Sequence, residues 1–192
     1  MNSYRLNQEI RILRLPAKVS GGLLCVLVSR IVLLTFVLLT LGLSLHAATL
    51  TVALDGSQDY TVIQDAIDAS AHGDTVLVHP GRYIENVRFN GKNITLASLE
   101  LITGDRDYVY STIIDGNQSG TVVYVGDNES SIKMQGFTIE NGSGNYSEYY
   151  DWTTGGGISI ARMSGEREAD LINCHVTGNS AYNGAGVYLG YC

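Results

Sequence analysis

From Thr75 onward, short β-branched runs return again and again between clusters of Gly, Asn, Asp and Ser: TVLV, NVRF, NITLAS, STIIDG, TVVYV, IKMQGFTIENG, GGGISI, DLINCHVTGN and GAGVYL. Runs this short, bounded by turn residues, read as strands. Their spacing is regular: VLV at 76–78, ITL at 94–96 and TII at 112–114 begin 18 residues apart. Later, Met134 to Asn141 matches Ile172 to Asn179 in spacing, and Gly157-Ile-Ser-Ile160 matches Gly186-Val-Tyr-Leu189. Self-similarity at this period, one strand set per unit, points to a solenoid whose units bury their apolar faces only against each other.

Helices do not alternate with these runs and few turns have hairpin length, so the expected fold is all-β, a right-handed parallel β-helix. Inward Val, Ile and Leu then stack one strand spacing apart, about 4.8 Å. Asn141 and Asn179, at recurrent corners, are expected to bond the turn backbone of adjacent coils.

One segment breaks the strand pattern. In TVIQDAIDASAHG, residues 61–73, Thr61 and Gln64 have the spacing of a capping box. Ile63, Ala66 and Ile67 fall on one helical face, and Gly73 is placed to close the helix in a left-handed conformation. No second helix is evident. A stack of parallel strands leaves its first coil open, with unpaired backbone and exposed valines that invite aggregation. This amphipathic helix is the expected cover. The chain reads GVYLGYC after its last run with no comparable cover, which predicts a C-terminally truncated fragment.

Residues 1–30 carry Arg5, Arg11, Arg14, Lys18 and Arg30 against Glu9, and 31–45 are uncharged and mostly apolar before Ala47 and Ala48. A basic leader, an apolar run and a small-residue exit make 1–47 a signal peptide, or an uncleaved membrane anchor from Gly22 to Leu45. Either way the remainder is exported, to the extracellular space or a cell surface. It divides into an N-terminal strand and capping helix (48–75) and β-helix coils (76–192). Taking away five of 12 basic and one of 19 acidic residues leaves seven against 18, a balance of −11. Phosphate binding needs a basic face, so nucleic acid is excluded as a partner. A membrane is a partner only through an uncleaved leader.

Past the leader only Cys174 and Cys192 remain, room for one disulfide at most. His72, His79 and His175 have no zinc spacing and read as turn or surface residues. No cofactor is expected; calcium is the one alternative, at the acidic turns Asp55/Asp59, Asp105/Asp107 and Asp127/Glu129, none of which has EF-hand spacing. Asn-x-Ser/Thr triplets at Asn93, Asn117, Asn128, Asn141 and Asn145 read as turn chemistry.

The stretch VALDGSQDYTVIQDAIDASAHGDTVLVHPGRYIENVRFNGKNITLAS, followed by STIIDGN, resembles the opening of pectin lyase-like β-helix proteins, the superfamily of pectinesterases and pectate lyases. Gly81, Tyr83, Glu85, Asn86 and Val87 are close to a pectinesterase start, where Glu85 is expected to bond within the first coil. The resemblance implies an aspartate nucleophile, an aspartate acid, oxyanion-stabilising glutamines and an arginine. At the corresponding places this chain reads GGGISI and GNSAYNGAG, so the glutamines and the first aspartate have no counterpart. An acyl-transfer site without oxyanion donors loses its largest electrostatic contribution. The calcium-binding acids and basic residue of a pectate lyase are not found either. Residues 90–192 resemble the polymorphic outer-membrane-protein-type repeats of large exported bacterial β-helix proteins, which implies surface display, adhesion or carbohydrate contact.

Function is therefore expected from a non-catalytic exported scaffold for adhesion or binding to a polysaccharide or cell-surface glycan, with no catalytic residue in this chain. The alternative is a polysaccharide-active enzyme whose catalytic coils lie outside it. The candidate contact is GNYSEYYDW, where Tyr146, Tyr149, Tyr150 and Trp152 sit on an insertion the solenoid does not need. Aromatic faces on such a loop can stack on sugar rings.

Overall fold

Alternation within each short run decides which side chains meet. In GRYI, Tyr83 is buried between exposed Arg82 and Ile84, as the period of two in a pleated strand requires. The computed structural model describes residues 29–30, 47–126, 129, 131–147, 152–161 and 168–190, and only the backbone of 147, 152 and 161. The chain divides into two compact units, Met1–Leu45 and His46–Cys192. In the first, residues 29–30 are helical; the rest of the leader lies outside the described residues. Among the described residues no helix is long and apolar enough to cross a membrane.

The second unit is all-β, with its main sheets parallel. It opens with strand β1 (Thr49–Val52) and helix α1 (Ile63–Ala69). The first round follows as β2 (Thr75–Val78), β3 (Gly81–Ile84) and β4 (Val87–Arg88). The second is β5 (Thr95–Ser98), α2 (Glu100–Thr103), α3 (Asp107–Ser111), β6 (Thr112–Asp115) and β7 (Val123–Val125). The third is β8 (Ser131–Gln135), β9 (Thr138–Glu140), β10 (Asn145–Ser147), β11 (Trp152–Thr154) and β12 (Ile158–Ala161). The last described round is β13 (Glu168–Ile172), β14 (His175–Thr177) and β15 (Val187–Gly190). Three sheets result, ordered β1-β2-β5-β8-β13, β3-β6-β9-β14 and β4-β7-β12-β15, so every round visits each sheet once.

The register builds columns of like side chains. Leu50, Val76, Leu96, Met134 and Leu171 line up through the first sheet. Tyr83, Ile114, Ile139 and Val176 line up through the second, and Val87, Val123, Ile158 and Val187 through the third. Val76, Leu96, Met134, Ile114, Ile139, Val123 and Ile158 are wholly buried and share one core with Phe89 and Phe137. Each such side chain contributes about 1.5–3 kcal/mol of burial, and none is satisfied within its own round.

The structure corrects the expected repeat in two places. Val76 pairs with Leu96, a step of 20 residues, and Ile114 belongs to another sheet, above Tyr83; the 18-residue spacing to TII is coincidental. The single-turn helices α2 and α3 lengthen the second round, and four or five residues are too few to display a 3.6-residue period. Secondly, Thr138 pairs with His175, not Val176, so Met134 to Asn141 stacks on Leu171 to Gly178. Gly136 (φ 82) thereby meets Asn173 (φ 50), and Asn141 (φ 57) meets Gly178 (φ 62). Left-handed positions accept Gly or Asn interchangeably, so aligning asparagine with asparagine slips the match by one. The match of Gly157-Ile-Ser-Ile160 to Gly186-Val-Tyr-Leu189 holds. At the corners, Asn179 takes the Gly142 amide (2.7 Å) and donates to the Ile139 carbonyl (2.9 Å). Asn141 donates instead to the Asp115 carboxylate (3.0 Å).

Helix α1 covers the open end of the first round, packing Ile63, Ala66 and Ile67, all fully buried, against β1, β2 and β4. Its cap differs from the expected box: Val62 stands at the N-cap with no side-chain bond. The carboxylate of Glu85 supplies the acceptors, one oxygen for the Ile63 amide (2.9 Å) and the other for Gln64 (3.0 Å). Gln64 is thereby released to the strand edge: its carbonyl accepts the Arg88 amide (2.8 Å) and its NH2 donates to the Arg88 carbonyl (3.1 Å), as a neighbouring strand would. At the other end the Lys92 ammonium donates to the carbonyls of Ile67 (2.7 Å) and Asp68 (2.5 Å). An acid at the N-terminus and a base at the C-terminus both oppose the helix dipole. The helix ends at Ser70, whose hydroxyl donates to the Ile67 carbonyl (2.7 Å). Gly73 (φ 91) turns the chain toward β2 instead. The free edge of β1 is closed by Tyr60, which exchanges backbone bonds with Thr51 and Ala53, and by Asp59, which accepts from Thr51 (3.0 and 2.7 Å).

Replacing Glu85 by Ala leaves two helix amides without acceptors, and urea denaturation should show a loss of about 1–2 kcal/mol. An unchanged midpoint would contradict the cap. Gly142→Ala should cost more, about 3 kcal/mol or above, because its new methyl would lie 1.9 Å from the Gly156 carbonyl oxygen, which is backbone and cannot swing aside.

Candidate functional site

The turn after β9 leads into an antiparallel pair that belongs to none of the three parallel sheets. In β10 and β11, Asn145 stands opposite Thr154, Tyr146 opposite Thr153 and Ser147 opposite Trp152. The preceding round holds the base of this hairpin. Ser143 exchanges bonds with Gly120, amide to carbonyl (2.9 Å) and Gly120 amide to the Ser143 hydroxyl (2.8 Å), while Oδ1 of the Asn145 side chain accepts the Thr121 amide (3.4 Å). The next round holds its far side. Thr153 accepts the Tyr182 amide on its hydroxyl (3.1 Å) and the Asn183 amide on its carbonyl (3.1 Å), and Thr154 forms a parallel bridge with Asn183.

Tyr146 is 60% exposed on this braced pair. Tyr149, Tyr150 and the Trp152 side chain lie outside the described residues; the backbone of Trp152 is in β11, opposite Ser147. Sequence reading passed over Tyr182, which is 74% exposed and borders the same hairpin. Its signal was weak, a single tyrosine inside the turn-rich GNSAYNGAG, and only the pairing of successive rounds brings it beside β11.

The main charged cluster lies on the outer side of the second sheet. Arg82 of β3 donates to Asp115 of β6 (2.5 Å) and to Glu140 of β9. Burial pushes the Asp115 carboxyl up, but the Asn117 amide, the Asn141 carboxamide and the Arg82 guanidinium outweigh it, and the net position is below the usual carboxylate range. The same contacts, Glu140 first, raise Arg82. A carboxyl held ionised in this way cannot donate a proton near neutral pH, the role that one of two paired carboxyls must fill in glycoside cleavage.

A cavity of about 300 Å³ is lined by Ala53, Leu54, Asp55, Ser57, His79 and Pro80. It holds the residue types of a nucleophilic triad in another arrangement. The Ser57 hydroxyl and amide both donate to Asp55, holding its carboxyl below the usual range, whereas a triad places histidine between serine and carboxylate. Tyr83, beneath, donates to the His79 carbonyl (2.9 Å) and is pushed up to about 12 by burial and then by the Glu85 charge.

In the acidic turns proposed for calcium, Asp55, Asp59, Asp105 and Glu129 hold neighbouring backbone amides. Asp59 binds Thr51, Asp105 accepts the Asp107 amide (2.9 Å), and buried Glu129 accepts the amides of Gly91 and Gly126 (3.0 Å each); Asp127 lies outside the described residues. Among the described residues no three His, Cys, Asp or Glu come together as a metal site. His72 accepts the Asn93 amide on Nδ1 (3.1 Å), and exposed His175 meets the ring of Tyr110 edge-on at 5.6 Å. Cys174 is a free thiol raised by burial, the opposite of an activated nucleophile; Cys192 lies outside the described residues.

No protein-family model matches the chain, and no curated protein matches it in sequence.

Asp74 accepts the amides of Ala71 (2.7 Å) and Ala48 (2.8 Å), in that order the causes that hold it below its usual range. A depressed carboxyl contributes stability that is complete above its unfolded value, about 3.9, and is lost as pH falls through the folded one. Asp74 and Asp115 thus predict denaturation midpoints that are level from pH 7 to about pH 5 and fall below about pH 4. Asp74→Asn should flatten part of that fall; a midpoint that rises on acidification would contradict the assignment.

Proposed function

We propose that the chain is an exported right-handed parallel β-helix of the pectin lyase-like kind, serving as a non-catalytic scaffold that contacts carbohydrate at a cell surface. The repeated visit to three parallel sheets supports the solenoid, and parallel crossovers are right-handed in about 98% of cases. The lid of α1 is what such a stack needs at its first round. The basic and apolar leader supports export.

One observation carries the contact: Tyr146 is 60% exposed on a hairpin inserted between β9 and β12 and braced from both sides. The stacked core does not use this hairpin, yet backbone bonds to two rounds hold it in place. A ring so fixed offers a flat apolar face at little entropic cost, which suits the face of a sugar. Asp115, bridged to Arg82 and held below the usual carboxylate range on the outer second sheet, supports binding over cleavage.

A glycan array probed with the whole protein should give saturable binding, weakened about tenfold by Tyr146→Ala at an unchanged unfolding midpoint. A blank array would overturn the contact. Release of methanol or unsaturated uronate from pectin would overturn the non-catalytic reading.

A further inference from the structure

The hairpin does not end at its second strand. Thr154 bridges in parallel to Asn183, and the amides of Tyr182 and Asn183 both bond Thr153, so the 182–183 segment lies along the outer side of β11 and widens the pair into a small ribbon. In this ribbon Tyr146 is the cross-strand partner of Thr153 on one side. The parallel bridge at 154–183 puts Tyr182 beside Thr153 on the other. Thr153 thus has Tyr146 as its cross-strand partner on one side and the backbone of Tyr182 as its neighbour on the other. The two tyrosines are 60% and 74% exposed and stand two strand spacings apart, roughly 10 Å. Thr153 between them supplies a hydroxyl, which accepts the Tyr182 amide and keeps its own proton to donate.

We infer that Tyr182 is a second stacking ring of the same site, and that the site takes a neutral oligosaccharide laid across the ribbon from one round to the next. This rests on the carbohydrate reading of Tyr146 given above. Two exposed rings on either side of Thr153 fit an extended chain of sugars better than a single residue. Selection for neutral sugars follows from charge. The exported part carries a formal balance of −11. A uronate chain would enter a field of its own sign, whereas a neutral chain meets no such cost.

The test is calorimetric titration of the whole protein with cellohexaose, xylohexaose, mannohexaose and hexagalacturonate. Wild type, Tyr146→Ala, Tyr182→Ala and Tyr182→Phe are compared, each checked for an unchanged unfolding midpoint. At least one neutral hexaose should bind, about tenfold more weakly to Tyr182→Ala and nearly normally to Tyr182→Phe, which keeps the ring. Hexagalacturonate should bind more weakly than that neutral chain. If Tyr146→Ala weakens binding and Tyr182→Ala does not, the two-ring site is wrong and the Tyr146 contact stands. Preference for hexagalacturonate overturns neutral selection, and no binding by any of the four overturns the two-ring neutral site, while a positive glycan array would still uphold the Tyr146 contact.

Discussion

The carboxylate of Glu85 accepts the first two amides of the lid helix, and the side chain of Gln64 in that helix accepts and donates to the edge strand that follows Glu85. Strand and helix thus exchange the bonds that each lacks alone. The helix is two turns long and could not persist in isolation. The edge of β4 would otherwise present unpaired backbone to solvent. Lys92 closes the other helix end from the same first round, and Asn90 adds a bond to Asp68 (2.8 Å). Glu85 also reaches upward, since its amide donates to the Asp115 carbonyl of the second round (3.1 Å). One short segment, residues 81–93, therefore ties the lid to the stack above it.

Further rounds build on that base with little new chemistry. Each adds apolar residues to columns already begun, and polar corner residues stitch neighbours together: Asn86 to the Thr121 carbonyl (2.8 Å), Asn179 to Gly142 and Ile139. Glu100 does so over the longest range. It is buried, and accepts from Gln135 (2.8 Å) in the third round and Asn173 (2.7 Å) in the fourth. Such a carboxylate is tolerable inside because amide donors satisfy it.

Much of this was legible in the sequence because it is periodic. The β-branched runs and turn clusters announced parallel strands, and Ile63, Ala66 and Ile67 announced the buried face of the lid. What escaped was set by contacts distant in sequence. Thr61 and Gln64 satisfy the local capping rule, but Glu85, 22 residues on from Ile63, takes the helix amides. The match of Asn141 to Asn179 fails by one residue because glycine and asparagine share the left-handed backbone. Helices α2 and α3 are too short to leave a period. At the candidate site the aromatic cluster was visible in the sequence and Tyr146 is exposed, while Tyr182 enters only through the contact of one round with the next.

The lid and the hairpin make contrasting use of the same scaffold. The lid buries its apolar face and spends its polar groups on the stack, whereas the hairpin takes backbone support from two rounds and keeps Tyr146 largely exposed. The whole arrangement rests on the first round being closed by the exchange between Glu85 and Gln64. Amide hydrogen exchange of the native protein tests this most directly. The amides of Ile63, Gln64 and Arg88 should be protected to the same degree as those of β2 and β5, opening only with the stack. Exchange at those three amides as fast as in the exposed turn at 55–57, with β2 and β5 still protected, would contradict it.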